Sequence, residues 1–274
     1  MKKIILLVLW ATSVVCQPEK YVCSSHDGAG FFSAFFGALN QLWWCEHNNK
    51  IPVMYWDDKC LYYQPEGYND TYNAWEYYFE PVSQDQYHEG DEVHYQYLPP
   101  TAYVNFTDFT NNKSNRRLAN QFMDKYIRIK PHIVDAVEAF YHRHFFRGKK
   151  TIGIYYRGTD KSQETKRIPI ALVIKQARKF KGCQFFVATD EQYVLDTFKK
   201  FLPGPVIHTD CFRSKDGRPI HFHGTGGKAL AGQEVLIDAL LLARCEYFIH
   251  TWSNVSMAVL VFNPALDNLC LRKN

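Results

Sequence analysis

The stretch TIGIYYRGTDK, residues 151–161, decides the fold, because a short apolar run leads directly into a charged glycine turn. Residues Thr151 to Tyr156 combine β-branched and aromatic side chains with no charge, which is typical of a strand covered on both faces. A polar segment follows, and apolar periodicity resumes between Ile168 and Phe180. The order of strand, polar loop and helix predicts one unit of a parallel α/β sheet.

The same alternation continues toward the C-terminus. Short apolar runs predict further strands, and each leads on to a segment with a helical pattern. The predicted strands are Gln184 to Ala188, Pro205 to His208 and Glu246 to Thr251, and the predicted helices are Glu191 to Phe201, Gly232 to Ala243 and Val255 to Phe262. Strands interleaved with helices predict a parallel sheet whose ligand loops lie at the carboxyl ends of the strands.

The first half of the chain begins with a similar unit. A strand is predicted from Tyr21 to Ser25, a helix from Phe31 to Asn48 after a glycine turn, and a second strand from Ile51 to Trp56. An irregular aromatic segment over residues 57–112 is expected to be functional, because long irregular stretches in compact proteins usually are. Two helices follow, Lys113 to Ile127 and Pro131 to Phe146. We therefore predict an N-terminal domain over residues 17–146 and a C-terminal, ligand-binding domain over residues 147–274.

Residues 1–16 carry the pattern of an export signal. Lys2 and Lys3 precede an apolar run from Ile4 to Val15, which is typical of a signal peptide and short for a membrane span. A short uncleaved anchor is the alternative, and it is the only membrane contact expected. The expected location is the lumen of the endoplasmic reticulum or Golgi, or a bacterial envelope, with secretion if the segment is cleaved.

Composition narrows the function classes. A hydrophobic fraction of 46% with 22% charged residues is typical of a folded protein and excludes a disordered one. The net charge of +4 is too small and too scattered to indicate a nucleic-acid partner. Aromatic residues are dense between Phe31 and Phe79; most are expected in the core, and the alternative is stacking on sugar rings. The spacing of the cysteines and histidines does not indicate a zinc site. The sequence also contains no Asp-x-Asp triplet, the pattern typical of metal-dependent transferases.

Polar residues collect where the predicted strands of the second half end. They are Arg157 to Lys161 after the first strand, Thr189 to Glu191 after the second, and Thr251 to Ser256 after the last. A guanidinium binds a diphosphate through two parallel hydrogen bonds, and hydroxyls at a helix N-terminus form an anion site. Together these loops predict a phosphate-binding site at one edge of the sheet.

Four blocks of the second half, in order along the chain, resemble the superfamily of α1,6-fucosyltransferases, NodZ-like nodulation fucosyltransferases and O-fucosyltransferases. The similarity covers residues 150–262, and its blocks are Ile152 to Lys161, Phe186 to Glu191, Leu236 to Leu241 and Ile249 to Asn254. The resemblance implies an α/β, GT-B-like fold of two Rossmann-like domains whose parallel sheets face each other across a cleft. It also implies metal-independent, inverting transfer of fucose from GDP-fucose, without a further cofactor, to a glycan or glycoconjugate acceptor.

Carried over by position, the resemblance gives roles to individual side chains. Arg157 would clamp the β-phosphate and stabilise the charge on the leaving GDP. Glu164 is the candidate general base, with Asp160 as the alternative. Asp238 would bind guanine. The remaining donor-side positions are Thr159, Lys161, Asp190, Thr251, Ser253 and Asn254, and the acceptor-side positions in the N-terminal glycine turn are Asp27, Gly28 and Gly30.

Three positions depart from the family pattern. Tyr155 stands where the family has histidine, Gly158 replaces its second arginine, and Thr165 occupies the position of its base. The alternative hypothesis is therefore a catalytically inactive protein that binds a carbohydrate or a nucleotide on the same fold.

Overall fold

The computed structural model describes residues 18–95, 109–145, 148–158, 167–215 and 227–272. The first half contains β1 (Glu19–Cys23), α1 (Phe31–His47), β2 (Lys50–Met54), β3 (Val93–His94), α2 (Lys113–Tyr126) and α3 (Pro131–His144). The second half contains β4 (Thr151–Tyr156), α4 (Ile170–Ala177), β5 (Gln184–Thr189), α5 (Gln192–Phe201), β6 (Val206–Ile207), α6 (Lys228–Ala243), β7 (Tyr247–Thr251), α7 (Asn254–Phe262) and β8 (Asn268–Leu271).

The second half is built on a five-stranded parallel sheet in the order β6-β5-β4-β7-β8. All six residues of β4 and of β5 are buried, which confirms the prediction from their uncharged apolar runs. The register pairs Tyr156 with Thr189 and Tyr155 with His250. The loops after β4, β5 and β7 therefore leave the sheet at the same edge.

Side chains of β4 alternate between two packed layers. Tyr155 belongs to the large hydrophobic cluster that includes α1, α6 and α7, whereas Tyr156 packs with α4 and α5 on the opposite face. The Tyr156 hydroxyl donates to the carbonyl of Ile168 at 2.6 Å. Helices thus cover both faces of the sheet, as in other doubly wound α/β folds.

The first half contains a three-stranded parallel sheet in the order β2-β1-β3. Strands β1 and β2 flank α1, which confirms the predicted strand–helix–strand unit. Two strands were not predicted: β3 has only two residues, and β8 is a mostly half-buried edge strand. The α/β class with two parallel sheets is confirmed.

The two halves share one hydrophobic core. The ring of Phe262 in α7 lies 6.0 Å from the rings of both Phe32 and Phe35 in α1. The Tyr78 hydroxyl donates to the carbonyl of Ala229 at the start of α6. Most aromatic residues between Phe31 and Phe79 are buried, as predicted, although several tyrosines remain at the surface. The division at residue 146 stays a prediction.

Two helices begin more than one residue from the predicted start, and α5 and α7 differ from it by a single residue. Helix α4 begins at Ile170 rather than Ile168, because a residue preceding proline disfavours the helical conformation and Pro169 occupies the cap. Helix α6 begins four residues before Gly232. A glycine is required inside this helix, since a Cβ at position 232 would overlap the Tyr78 hydroxyl.

Within the described ranges, no helix has both the length and the apolar character needed to cross a bilayer. The segment predicted as a signal peptide or anchor, residues 1–16, lies outside those ranges.

A buried arginine links the two halves. Arg116 of α2 donates to the carbonyls of Phe109, Thr110 and Leu266, the last two at 2.7 and 2.8 Å. Its side chain is almost fully buried. Replacement would therefore remove a donor from three carbonyl oxygens, of which that of Thr110 also accepts from Asn268 Nδ2 at 3.1 Å.

We predict that Arg116→Met lowers the free energy of unfolding by about 3 kcal/mol or more, because buried carbonyls lose charged donors. Urea denaturation measures the change. Arg117→Met is the matched control, since Arg117 is exposed on the same helix. Equal losses in the two variants would contradict the role given to Arg116.

Candidate active site

A cavity of about 360 Å³ lies between the two halves. On one side it is lined by the loop before α1 and by the first turn of that helix. On the other side it is lined by the ends of β4 and β5, the segment after β6, one face of α6 and the start of α7. The carboxyl edge of the large sheet therefore faces the glycine turn of the small one.

The structure brings most of the described candidate residues into this one cavity. Its lining includes Arg157, Asp190, Asp238 and Asn254 from the donor side, and Gly28 and Gly30 from the acceptor side. Asp27, Thr251 and Ser253 are not among the lining residues. Thr159, Asp160, Lys161 and Glu164 lie outside the described residues, so their roles stay predictions.

Arg157 is half-buried at the end of β4, on the wall of the cavity. Its backbone N–H donates to the Thr251 hydroxyl at 3.3 Å, which joins the loops after β4 and β7. Asn254 and Val255, the first two residues of α7, also line the cavity. A guanidinium and a helix N-terminus supply positive charge to this end of the cavity, beside the carboxylate of Asp190.

Thr251 and Ser253 have structural partners of their own. The Ser253 hydroxyl caps α7 by accepting from the backbone N–H of Ser256 at 3.1 Å, and both serine side chains are buried. The Thr251 hydroxyl accepts from the backbone of Arg157. Both hydroxyls therefore shape the loop that carries Asn254, and their contact with phosphate stays a prediction.

The loop after β5 holds the loop after β4 at both of its ends. Asp190 accepts from the backbone N–H of Gly158 at 2.9 Å. Glu191 forms an ion pair with Arg167, whose Nε also donates to the Tyr156 hydroxyl at 3.1 Å. Burial raises the pKa of Glu191, while the charge of Arg167 opposes that rise.

Two carboxylates of α6 form the other end of the cavity. Asp238 is buried and accepts from the Thr209 hydroxyl at 2.6 Å, with the Cys211 thiol 3.8 Å away. Burial raises the pKa of Asp238 to about 6. Glu234, one turn earlier, accepts from the backbone N–H of Phe212 at 3.3 Å, and burial raises its pKa as well.

Several lining residues were not predicted. Glu234 was missed, although its position four residues before Asp238 places it on the same helix face. Tyr62 was also missed; its hydroxyl accepts from the backbone N–H of Phe31 at 3.0 Å and so caps α1. His26 and Phe212 line the cavity too. They reach it through the packing of separate segments, for which the sequence carries no local signal.

Tyr155, which departs from the family pattern, lines the cavity and is 8% exposed. No group of three or more histidine, cysteine or acidic side chains suited to a metal ion occurs among the residues that the structure describes.

The fold is shared with solved structures of fucosyltransferases. NodZ alpha-1,6-fucosyltransferase co-crystallized with GDP has a TM-score of 0.57 and 19% sequence identity over 89% of this chain and 93% of that chain. NodZ from Bradyrhizobium gives 0.56 and 19%, with 88% and 92% covered. A variant of Arabidopsis thaliana FUT1 in complex with GDP gives 0.51 and 8%, with 94% and 71% covered.

These similarities confirm the predicted GT-B-like arrangement of two parallel sheets about a cleft. No protein-family model matches the chain, and no curated protein matches it in sequence.

The raised pKa of Asp238 makes a prediction about stability. Ionising a buried carboxyl whose pKa has moved from 3.8 to about 6 costs roughly 3 kcal/mol. The stability contributed by the protonated form is fully present below pH 4 and is lost as pH rises through 6. Asp238→Asn carries no such cost at any pH.

We therefore expect Asp238→Asn to raise the free energy of unfolding of the ligand-free protein by about 2 kcal/mol at pH 8. The gain should shrink as pH falls through 6 and vanish near pH 4. Urea denaturation across this range measures it, and a difference that does not vary with pH would refute the assigned cause.

The close approach of Glu191 to Gly158 makes a second prediction. A Cβ at position 158 would overlap the Glu191 carboxylate. We expect Gly158→Ala to lower the free energy of unfolding by about 1–3 kcal/mol through overpacking. Adding Glu191→Ala should make the glycine substitution nearly neutral, which a double-mutant cycle in urea detects. Additive losses would show that another contact is responsible.

Proposed function

We propose that the protein is a glycosyltransferase that transfers fucose from GDP-fucose to a glycan or glycoconjugate. The main support is that one cavity between the two halves has the guanidinium of Arg157 at one end and the carboxylates of Glu234 and Asp238 at the other. A GDP-sugar fits both ends, because its diphosphate is an anion and its guanine carries N–H donors.

The cationic end suits a diphosphate. Arg157 can donate two parallel hydrogen bonds to phosphate oxygens, and the cavity also meets the N-termini of α1 and α7. Charge builds up on the β-phosphate as the bond to the sugar breaks, so a guanidinium there stabilises the transition state more than the ground state. In this proposal Arg157 and the helix N-termini supply the stabilisation without a metal ion or cofactor.

The carboxylate end favours guanine over other bases. Guanine presents adjacent N–H donors at N1 and at its 2-amino group, whereas uracil offers one N–H and adenine presents an acceptor at N1. Buried carboxylates with raised pKa values gain most from a ligand that brings donors. The NodZ structures that share the fold were determined with GDP and with GDP-fucose, which supports the same donor class.

The proposed reaction inverts the anomeric carbon. The acceptor oxygen bonds to that carbon as its bond to the β-phosphate oxygen breaks, and GDP leaves with the electron pair. A general base takes the acceptor proton. We propose Glu164 for this role, with Asp160 as the alternative, on the strength of the family resemblance. The acceptor would enter beside His26, Gly28 and Tyr62, which line the opposite wall.

We further propose that the reaction takes place in the secretory lumen or a bacterial envelope. The apolar run from Ile4 to Val15 behind two lysines supports this location.

The role of Arg157 is tested by Arg157→Ala. We expect kcat/KM for transfer from GDP-fucose to fall about 10²- to 10³-fold, because charge on the leaving group loses its guanidinium. Release of GDP in the presence of a glycan mixture measures the rate. Arg178→Ala is the matched control, since Arg178 is exposed on the far side of the same half.

A thermal-shift panel of GDP, UDP, CMP and their sugars tests the donor class. Stabilisation by the guanine nucleotides alone is the expected result, and Asp238→Asn should abolish it. Stabilisation by UDP or CMP would overturn the assignment of the donor.

Binding of GDP-fucose without transfer to any acceptor would favour an inactive binding protein. The replacement of the family histidine by Tyr155 is the observation that supports this alternative.

A further inference from the structure

A second cavity, of about 280 Å³, lies in the first half beside the free edge of β2. Three segments form it: the end of β2, residues 71–76 and residues 81–87. The Ser83 hydroxyl donates to the carbonyl of Pro52 at 2.6 Å, which holds the third segment against the edge strand. We name this cavity the edge cavity.

Tyrosines form the walls of the edge cavity. The rings of Tyr55 and Tyr87 are stacked, with centroids 3.9 Å apart and planes within 10°. Tyr72, on the neighbouring segment, is 62% exposed. The stacked pair forms one wall, and Tyr72 adds an exposed ring to the lining. Such amphipathic rings bind flat, partly apolar ligands and cost little conformational entropy.

The charged groups of the edge cavity are carboxylates, which accept hydrogen bonds, and one of them is held in place by neighbouring side chains. Asn73 donates to Glu76 at 3.0 Å and to the carbonyl of Met54 at 2.8 Å. The Thr71 hydroxyl donates to the same Glu76 carboxylate at 3.4 Å. Asp85 adds a second, exposed carboxylate. Glu76 is held in place, and a carboxylate can accept from two neighbouring hydroxyls at once, so a polyol suits these groups.

The charge of the lining disfavours anionic ligands. The described residues of the edge cavity include two carboxylates and neither lysine, arginine nor histidine. A phosphate or an acidic sugar would meet only repulsion there. An apolar ligand would bring no donors to the carboxylates while displacing water from them. Ring faces combined with fixed acceptors fit a neutral saccharide.

The edge cavity and one wall of the active-site cavity both lie near the carboxyl ends of strands of the small sheet. The backbone N–H of Tyr55, one residue past β2, donates to the carbonyl of Cys23, the last residue of β1. The chain continues from Cys23 to His26, which lines the active-site cavity. The two cavities therefore follow adjacent parallel strands at their carboxyl ends.

We propose that the edge cavity binds a neutral saccharide unit of the acceptor glycan, at a distance from the hydroxyl that reacts. The assignment of the occupant as an acceptor rests on the proposed function, whereas the saccharide chemistry does not. A multi-unit glycan would occupy both cavities, so its affinity would include contacts that a monosaccharide lacks.

Binding is tested on the full-length protein with an array of neutral and sialylated oligosaccharides, without nucleotide. We expect at least one neutral oligosaccharide to bind. The double variant Tyr72→Ala, Asp85→Asn should weaken that binding about tenfold, and both positions are exposed enough for the variant to fold. The matched control is Tyr193→Ala, Asp196→Asn, because these residues are exposed on α5 in the other half. A glycan that binds both double variants equally well, or an array on which nothing binds, overturns the proposal.

Transfer kinetics separate this proposal from the proposed function. The Tyr72, Asp85 variant should raise KM for a long acceptor about tenfold while kcat and the thermal stabilisation by GDP stay unchanged. Monosaccharide acceptors should not respond. Equal KM values for long acceptors in the variant and the wild type count against the edge cavity. If GDP fails to bind but the variant still loses glycan binding, the proposed function fails and the saccharide site stands.

Discussion

The site depends on the position of β4 at the centre of the large sheet. Hydrogen bonds to β5 on one side and β7 on the other fix its register, and both faces are buried. A slip by one residue would exchange the environments of Tyr155 and Tyr156, moving the hydroxyl of Tyr156 away from Ile168. The register therefore places the loops of Arg157, Asp190 and Asn254 at one edge of the sheet through backbone pairing.

Packing between the halves converts that edge into one wall of a cavity lined by the guanidinium of Arg157 and by the carboxylates of Glu234 and Asp238. The aromatic contacts of α1 with α7 place the glycine turn opposite Arg157, and the Tyr78 hydroxyl fixes the start of α6. Glycine at position 232 permits this close approach and so brings Asp238 to the wall. The carboxylates there are costly to ionise because burial removes them from water, and a ligand that carries donors would offset part of that cost.

Sequence patterns predicted the strands better than the helix ends or the site. The uncharged runs of β4 and β5 are buried on both faces, so local composition is decisive there. Strand β3 has no such signal, since its two residues pair with β1 across some seventy residues of chain. Arg157 and Asp238 could be named from the resemblance and lie in one cavity. Tyr62 and Phe212 could not be predicted, because their positions follow from the packing of irregular segments.

At Gly158 the departure from the motif that the sequence resembles comes with a change in the side chains around it. The family pattern has a second arginine at this position, whereas the space beside Gly158 is filled here by the carboxylate of Glu191. That carboxylate pairs with the guanidinium of Arg167, nine residues later in the chain. A guanidinium thus still lies near this turn, with its charge paired to Glu191. An arginine introduced at position 158 would compete for the space that the Glu191 carboxylate fills. The glycine and the Glu191–Arg167 ion pair are therefore expected to change together.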